Sequence, residues 1–321
     1  MQPTETEFTI QRYSSELEKQ WDEFVSSSKN GTFLFFRRYM DYHADRFDDC
    51  SLLIYHGEKL LALLPGHIKG TTYGSHNGLT YGGFLIGSLT YNKFFRLFQE
   101  VLTYLRREHG IERMVYRPVP YIYHTTPAQE DLYALFRLDA RLTERKISTV
   151  VEYANPMPLK VTRKQHTRQA IRHGFSIVED TDFAAFWKVL ETNLHDRHHA
   201  APVHSLEEIE RLHQRLPEHI RLFRVVSAEG DTVGGSVMYV SRQVAHAQYT
   251  ASTPEGRKWG AIDYLYNHLI YEVFASHRYF DYGTSVEEGG RVLNESLLSQ
   301  KEEFGGRAVV YDTYEINLTD K

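Results

Sequence analysis

The sequence predicts a mixed α/β protein of two domains, each a mostly antiparallel sheet flanked by helices. Three observations lead there. Strand-like and helix-like stretches follow one order twice: a strand, one or two helices, a meander of about three strands, a long helix, a strand, a short helix, a strand. Residues 155–158 read Asn-Pro-Met-Pro, and two prolines in three residues interrupt regular structure near the middle of the chain. The 321 residues suit two domains at roughly 100–200 residues each. The halves share no obvious residue identity, so the repeat is one of pattern. The expected domains are residues 1–154 and 160–321, with 155–159 as a hinge.

In the first half, residues 8–13 alternate and predict a strand. Ser14 or Ser15 caps a helix reaching residue 29, with Leu17, Trp21, Phe24 and Val25 on one face. Asn30-Gly31 ends it, and the aromatic stretch 33–45 predicts a second helix. Residues 51–55 and 59–67 flank His56-Gly57-Glu58 and predict a hairpin. Residues 73–83 carry four glycines with His76, Asn77 and Tyr81, a loop that brings backbone close to something. Residues 91–109 predict a long amphipathic helix stopped by Gly110. A strand at 112–117, a helix at 128–136 and a strand at 142–153 complete the half.

The second half opens with a basic helix holding Lys160, Arg163, Lys164, His166, Arg168 and Arg172. A strand at 175–179 and a helix at 182–193 follow. Residues 195–204 predict a histidine-rich loop. Ser205 and Glu208 form a capping box for a helix over 205–216. Residues 221–227, 233–241 and 244–252 predict three antiparallel strands, 253–260 a loop, and 261–276 a helix. Residues 278–283 predict a strand closed by a glycine, followed by a polar loop at 284–290. Leu293, Leu297 and Leu298 recur at helical spacing until Gly305-Gly306 stops them. Residues 307–316 predict the last strand.

Composition narrows the class. Apolar residues make up 41% and charged residues 25%, as in ordinary globular proteins. A net charge of -5 argues against a generally cationic nucleic-acid binder, DNA included, though not against a local basic groove. The single cysteine, Cys50, excludes an internal disulfide and a Cys-rich zinc site, and points to a reducing compartment. The polar, acidic first residues do not read as a signal peptide, and no apolar run approaches a membrane span, so a cytoplasmic location is expected. His195 and His199 have the spacing of a helical metal pair. No HExxH glutamate accompanies them, and Pro202 breaks a helix before His204, so no metal site is expected.

The element order, with Phe280-Asp281-Tyr282-Gly283 at a strand end and Gln300-Lys301-Glu302-Glu303-Phe304-Gly305-Gly306 after a helix, resembles the GNAT acyltransferase fold. The likeness is to its FemABX-like branch and the related BioF2-like acetyltransferases. It is carried by those motifs over residues 160–315 and by topology alone over 1–155. The resemblance implies two tandem GNAT-like domains. It implies two parallel strands that splay after a bulge, with free amides that receive the donor carbonyl. The first splayed strand would be 244–252. The helix after it would turn its N-terminus toward a pyrophosphate. The usual signature there is Gln or Arg, two residues, Gly, one residue, Gly or Ala. Arg257 and Gly260 match, Lys258 and Ala261 lie within it, and Ile262 departs.

The resemblance further places Lys301 near the acyl-transfer centre, as an electrostatic stabiliser. Tyr249 becomes the group that protonates the leaving atom. Glu287, past the end of a strand, is a candidate to orient or deprotonate an amine. On a regular strand His246 and Tyr249 have opposite parity, so only one faces the cleft. His76, Asn77 and Tyr81 from the first half, with His199, His204 and Asn294, are candidates for acceptor binding. The expected function is transfer of an acyl group, an acetyl by first choice, from acyl-CoA to an amine. The acceptor would be an amino sugar, a cell-envelope precursor or an amino-acid-like molecule. Aminoacyl-tRNA is the alternative donor, and a non-catalytic ligand-binding or scaffold protein the alternative class.

Overall fold

The computed structural model describes residues 7–198 and 201–319. Contacts divide the chain into a unit of residues 1–146, 288–292 and 310–321 and a unit of 147–287 and 293–309. The division falls at 146/147. Residues 155–158 are an irregular segment within the second unit. A hinge at 155–159 therefore stands as a proposal about flexibility, separate from the contact boundary.

The first unit holds two sheets. One is antiparallel, in the order Thr9–Arg12, Leu52–His56, Lys59–Leu64, Leu85–Ile86. The other runs from residues 310–317 through Arg113–Tyr116, Thr72–Gly74 and His67–Lys69 to Asp48–Asp49. The helix Tyr91–His109 buries Phe94, Leu97, Phe98, Val101 and Leu105 in the core. Gly110 ends it at φ 63°, a left-handed cap that glycine adopts without strain. The single helix expected over 33–45 is instead three short turns, Phe33–Phe35, Arg37–Met40 and Asp41–Arg46. Phe36 is extended (ψ 138°) and breaks the run. The Arg37 guanidinium is then buried over the Tyr13 ring, 3.8 Å from its centroid, and bridged to Asp49 at 2.8 Å.

The second unit is one sheet, in the order Ser176–Asp180, Ile220–Val226, Thr232–Val240, Val244–Ser252, Tyr279–Thr284 and residues 147–152. The first four strands pair antiparallel, the last three of them as a meander. Val244–Ser252 and Tyr279–Thr284 run parallel. Phe183–His198 packs against one face: a Cβ built on Gly235 would lie 2.8 Å from the Phe186 ring. Ala261–His268 packs against the other, with Leu265 and Tyr266 in a core that includes Met238, Ala245, Ala247, Phe280, Tyr282 and Phe304. The capping box forms as expected. Glu208 N–H donates to Ser205 Oγ at 3.2 Å and Ser205 N–H to Glu208 Oε2 at 2.8 Å. Two expectations change. The helix ending at 193 continues to His198, so the front of the histidine-rich loop is helical. The loop expected at 253–260 contains the helix Pro254–Trp259, because Thr253 Oγ1 accepts the Gly256 N–H at 3.0 Å and Pro254 suits the first helical position.

Candidate active site

The parallel pairing of Val244–Ser252 with Tyr279–Thr284 covers three residue pairs, Val244↔Tyr279, Ala245↔Phe280 and His246↔Asp281. The ladder then stops, and the two strands continue without pairing to each other. Each carries an irregularity just past that point. On the first strand, Ala247 faces Met238 and Tyr249 faces Val237, so Gln248 is an extra residue. On the second, the partner register slips between Asp281 and Thr284. Gly283 takes φ +77° there, a left-handed conformation that costs a residue with a Cβ about 1–2 kcal/mol.

The bulge at Gln248 changes which side chains share a face. Tyr239 and Val237 lie two apart and point the same way. Their cross-strand partners are His246 and Tyr249. An extra residue restores the parity that regular alternation would deny. Thr250, one residue on, bonds to Tyr266 on the opposite face (3.0 Å). Tyr249 turns toward Phe183–His198, with its ring 5.3 Å from that of Trp187. The expectation that only one of His246 and Tyr249 faces this side is corrected by the bulge.

The turn at Gly283 organises a buried polar cluster. Its N–H donates to Asp281 Oδ1 at 2.9 Å, and its carbonyl accepts from Lys301 Nζ at 2.8 Å. Lys301 also donates to the Thr284 carbonyl at 2.9 Å. Asp281 is fully buried and receives two further donors, Ser148 Oγ at 2.6 Å and His246 Nδ1 at 2.8 Å. Three donors on one carboxyl group call for its anionic form. With Nδ1–H given to Asp281, His246 carries its lone pair on Nε2. That atom has no partner among the described residues, and the side chain keeps 12% of its surface exposed.

Lys301 is 7% exposed rather than on a solvent face. Burial pulls its ammonium down to about 8, while the nearby Asp281 carboxylate pushes the other way. The motif around it explains the placement. Phe304 is buried against Tyr266 and Tyr282. Gly305 has φ +87°, and a Cβ there would meet the Met157 carbonyl at 2.6 Å. A Cβ on Gly306 would meet Thr149 at 2.4 Å. The Phe-Gly-Gly run thus lets the end of Glu295–Glu303 lie close enough for Lys301 to reach the strand end.

Tyr249 is half-buried, and burial pushes its hydroxyl pKa up. Its oxygen accepts the His204 backbone N–H at 3.3 Å and lies 2.6 Å from His204 Nδ1. Sequence reasoning set these two residues in different roles, and the structure brings them together. Asn294 caps Glu295–Glu303, its Oδ1 accepting the Leu297 N–H at 3.0 Å. Glu287 is exposed beyond the strand end. His199 lies outside the described residues.

The first-unit candidates sit in local packing. His76, at φ 53°, is 2% exposed with its ring 5.2 Å from Phe47 and 5.8 Å from His67. Tyr81 is 3% exposed and donates to Thr32 Oγ1 at 3.1 Å. Asn77 accepts from Arg117. These contacts give His76 and Tyr81 packing roles in their own unit.

An acyl-CoA donor of the usual kind would require an anion site at the first turn of Ala261–His268. That turn is crowded and already carries a carboxylate. Asp263 supplies the negative charge there, bound by Arg163 at 3.0 Å and His166 Nδ1 at 3.2 Å. The helix Val161–Arg172 lies directly on Gly260, where a Cβ would meet His166 at 2.8 Å. Arg257 donates to the Ser252 carbonyl at 2.6 Å, and Lys258 sits over the Trp259 ring at 4.8 Å. Gly260 is the left-handed joint between two helices, and Ala261 is buried. These residues do not fit a pyrophosphate at that turn. Arg257 also lines a cavity of about 390 Å³ with Lys188, Asn193, Asp231 and Thr253. Among the described residues, no group of three or more His, Cys, Asp or Glu side chains is placed to hold a metal ion. No described helix is long and apolar enough to cross a membrane.

The residues that sequence reasoning passed over are His246, Asp281 and Ser148. The signal was present in part: Asp281 lies in the quoted strand-end motif and His246 on the splayed strand. The bulge that sets Tyr249 on the same face as His246 leaves no mark in the residue pattern.

Residues 160–288 match the family model of an acetyltransferase (GNAT) domain. No curated protein matches the chain. Among solved structures, FemX shares 12% identity at a TM-score of 0.67, covering 95% of this chain and 96% of its own. The C-terminal domain of a protein named lysylphosphatidylglycerol synthetase, from Agrobacterium fabrum, shares 12% at 0.58, covering 93% of each chain. A tandem GNAT protein from the clavulanic acid biosynthesis pathway shares 13% at 0.54, covering 97% of this chain and 99% of its own. At these identities the shared property is the fold. Residues 160–288 thus match a GNAT acetyltransferase domain, and the chain as a whole shares the fold of FemX and of the tandem GNAT protein.

Proposed function

We propose that this protein is an N-acyltransferase that moves an acyl group from an activated carrier to an amine. The observation that carries this reading is the splay after His246↔Asp281, with Lys301 held at its edge by the Gly283 and Thr284 carbonyls. Acyl transfer needs a positioned donor, a deprotonated amine and stabilisation of the oxygen that becomes negative. Unpaired strand amides and a buried ammonium answer the last need. Tyr249, held by His204, is the candidate to return a proton to the leaving atom. Glu287 remains a candidate for contact with the acceptor amine, and so does Asn294 through its amide nitrogen.

Two donor classes are open to the fold, and one observation separates them. The first turn of Ala261–His268 is covered by Val161–Arg172 and neutralised by Asp263. This favours an aminoacyl-tRNA over acyl-CoA. The name of one structural neighbour, lysylphosphatidylglycerol synthetase, likewise joins an amino acid to a lipid. Lys164, Arg168 and Arg172, on the same basic helix, have no acidic partner among the described residues and are free to meet a phosphate backbone. The acceptor is an amine on a small molecule or a cell-envelope precursor, and a cytoplasmic site of action fits such a donor.

The test is direct. Purified full-length protein is titrated with acetyl-CoA and with a mixed aminoacyl-tRNA pool, and transfer of labelled acyl or aminoacyl groups to a panel of amines is followed. Binding and turnover with aminoacyl-tRNA, and neither with acetyl-CoA, is the expected result. Turnover with acetyl-CoA would reverse the choice of donor. No binding of either at sub-millimolar concentration would leave a ligand-binding scaffold.

A further inference from the structure

We infer that His246 is the proton acceptor of the transfer step and that Asp281 and Ser148 are its positioning residues. The inference rests on the acyl-transfer reading and names the group that reading lacks.

His246 occupies the last paired position before the strands diverge, opposite Asp281. A reacting carbonyl in the splay would lie just beyond it. Its ring is fixed through Nδ1, which donates to Asp281 Oδ2 at 2.8 Å. Asp281 is in turn fixed by Ser148 Oγ (2.6 Å) and the Gly283 N–H (2.9 Å). A Cβ on Gly283 would lie 3.4 Å from His246 Cε1, so the ring rests against the turn whose carbonyl holds Lys301. Base, orienting carboxylate and cation thus converge on one glycine. The bulge at Gln248 sets Tyr249 on the same face of the strand as His246. A hydrogen-bonded Nδ1 with a free Nε2 is the arrangement of a general base whose tautomer is set by a carboxylate.

The step balances. The acceptor nitrogen attacks the acyl carbon and a C–N bond forms. The ammonium proton passes to His246 Nε2. As the tetrahedral species collapses, the bond from carbon to the donor's leaving oxygen or sulfur breaks. The proton returns to that atom from His246, directly or through Tyr249. No oxidant, reductant or metal enters.

The experiment uses the full chain and whichever donor the unaltered protein turns over. His246→Ala should lower kcat by about 10²–10⁴-fold with the donor KM nearly unchanged. Added imidazole should restore a measurable part of the rate, which no packing role would do. Asp281→Asn should lower kcat comparably without imidazole rescue. Independently of activity, ¹⁵N NMR should find His246 as the Nδ1–H tautomer and find that tautomer lost in Asp281→Asn. If the unaltered protein is active and His246→Ala keeps its kcat, the inference is wrong and the acyl-transfer reading stands. An Nε2–H tautomer at His246 would overturn it as well. If the unaltered protein turns over no donor while binding none, the acyl-transfer reading fails first and takes this inference with it.

Discussion

Each unit holds a carboxyl group deep in its interior, Asp131 in the first and Asp281 in the second, and the two are treated differently. In the first unit Asp131, 3% exposed, accepts from Tyr116 Oη at 2.8 Å, and Tyr116 accepts the Phe84 N–H at 2.8 Å. That chain of bonds begins and ends inside the protein. Among the described residues no cation is bonded to it, and burial pushes Asp131 up to about 7. In the second unit Asp281 has no exposed surface, yet it collects three donors and lies near Lys301. Its chain of bonds ends on His246 Nε2, outside the core. Equal burial therefore serves two purposes. A closed network specifies packing, and an open-ended one delivers a proton-accepting atom to the surface.

The sharpest way to break this comparison is to neutralise each acid. Asp281→Asn should cost about 10²–10⁴-fold in turnover, because the imidazole loses its orienting anion. Asp131→Asn should leave turnover within a factor of about two, since an amide still accepts from Tyr116. Steady-state kinetics on both variants, alongside thermal melts, decides it. Similar losses from both would mean that the second acid, too, is structural.

Lys301→Met ranks next. Loss of the ammonium should lower turnover about 100- to 1000-fold if it stabilises charge that develops only in the transition state. A fall in donor affinity with saturated turnover intact would assign it to donor phosphate instead. The substitution also leaves the Gly283 and Thr284 carbonyls without their donor, so a loss of about 1–3 kcal/mol in stability accompanies it. Denaturant melts separate the two effects.

The pH dependence of stability sharpens the contrast in sign. Asp131 titrates near 7 in the folded chain against an ordinary 3.8, so between those values the folded state binds more protons. Stability should fall as pH rises through that window, by up to about 1.4 kcal/mol per pH unit. Lys301 titrates near 8 against an ordinary 10.5, so there the unfolded state binds more protons. Stability should rise with pH from about 8 to 10.5. Each slope should vanish in Asp131→Asn or Lys301→Met, measured by denaturant unfolding across pH. The smallest effect belongs to Gly283→Ala. Its left-handed backbone predicts a loss of about 1–2 kcal/mol, with kcat falling further because Asp281 and Lys301 both bond to that residue.

Much of the second unit was legible in its residues. The strand 244–252, the helix starting at Ala261, the capping box at Ser205 and the stop after Phe304 all follow from local chemistry, and the structure places them there. The long helix ending at Gly110 was equally plain. What escaped depended on tertiary contacts. Residues 33–45 have helical content, but burial of Arg37 against Tyr13 sets their path. Lys301 was singled out by its motif, while its burial came from Gly305 and Gly306 allowing close backbone approach. His246 was set aside because a bulge cannot be read from Val-Ala-His-Ala-Gln-Tyr-Thr-Ala-Ser, where small and polar residues occupy both faces.

That extra residue at Gln248 acts on the strand as a frame marker acts on a message. Before it, odd-numbered positions such as Ala245 and Ala247 enter the core, and after it the core receives Thr250 instead. Pairing Gln248 into a regular, unbulged ladder would leave every later residue chemically unchanged and send each to the opposite side. Tyr249 would be driven into the core beside Tyr266, and Thr250 would be presented to the reaction face. Flattening the bulge is thus a simultaneous substitution of the whole strand end, whereas deleting Gln248 itself would regularise the ladder and keep Tyr249 on the face of His246.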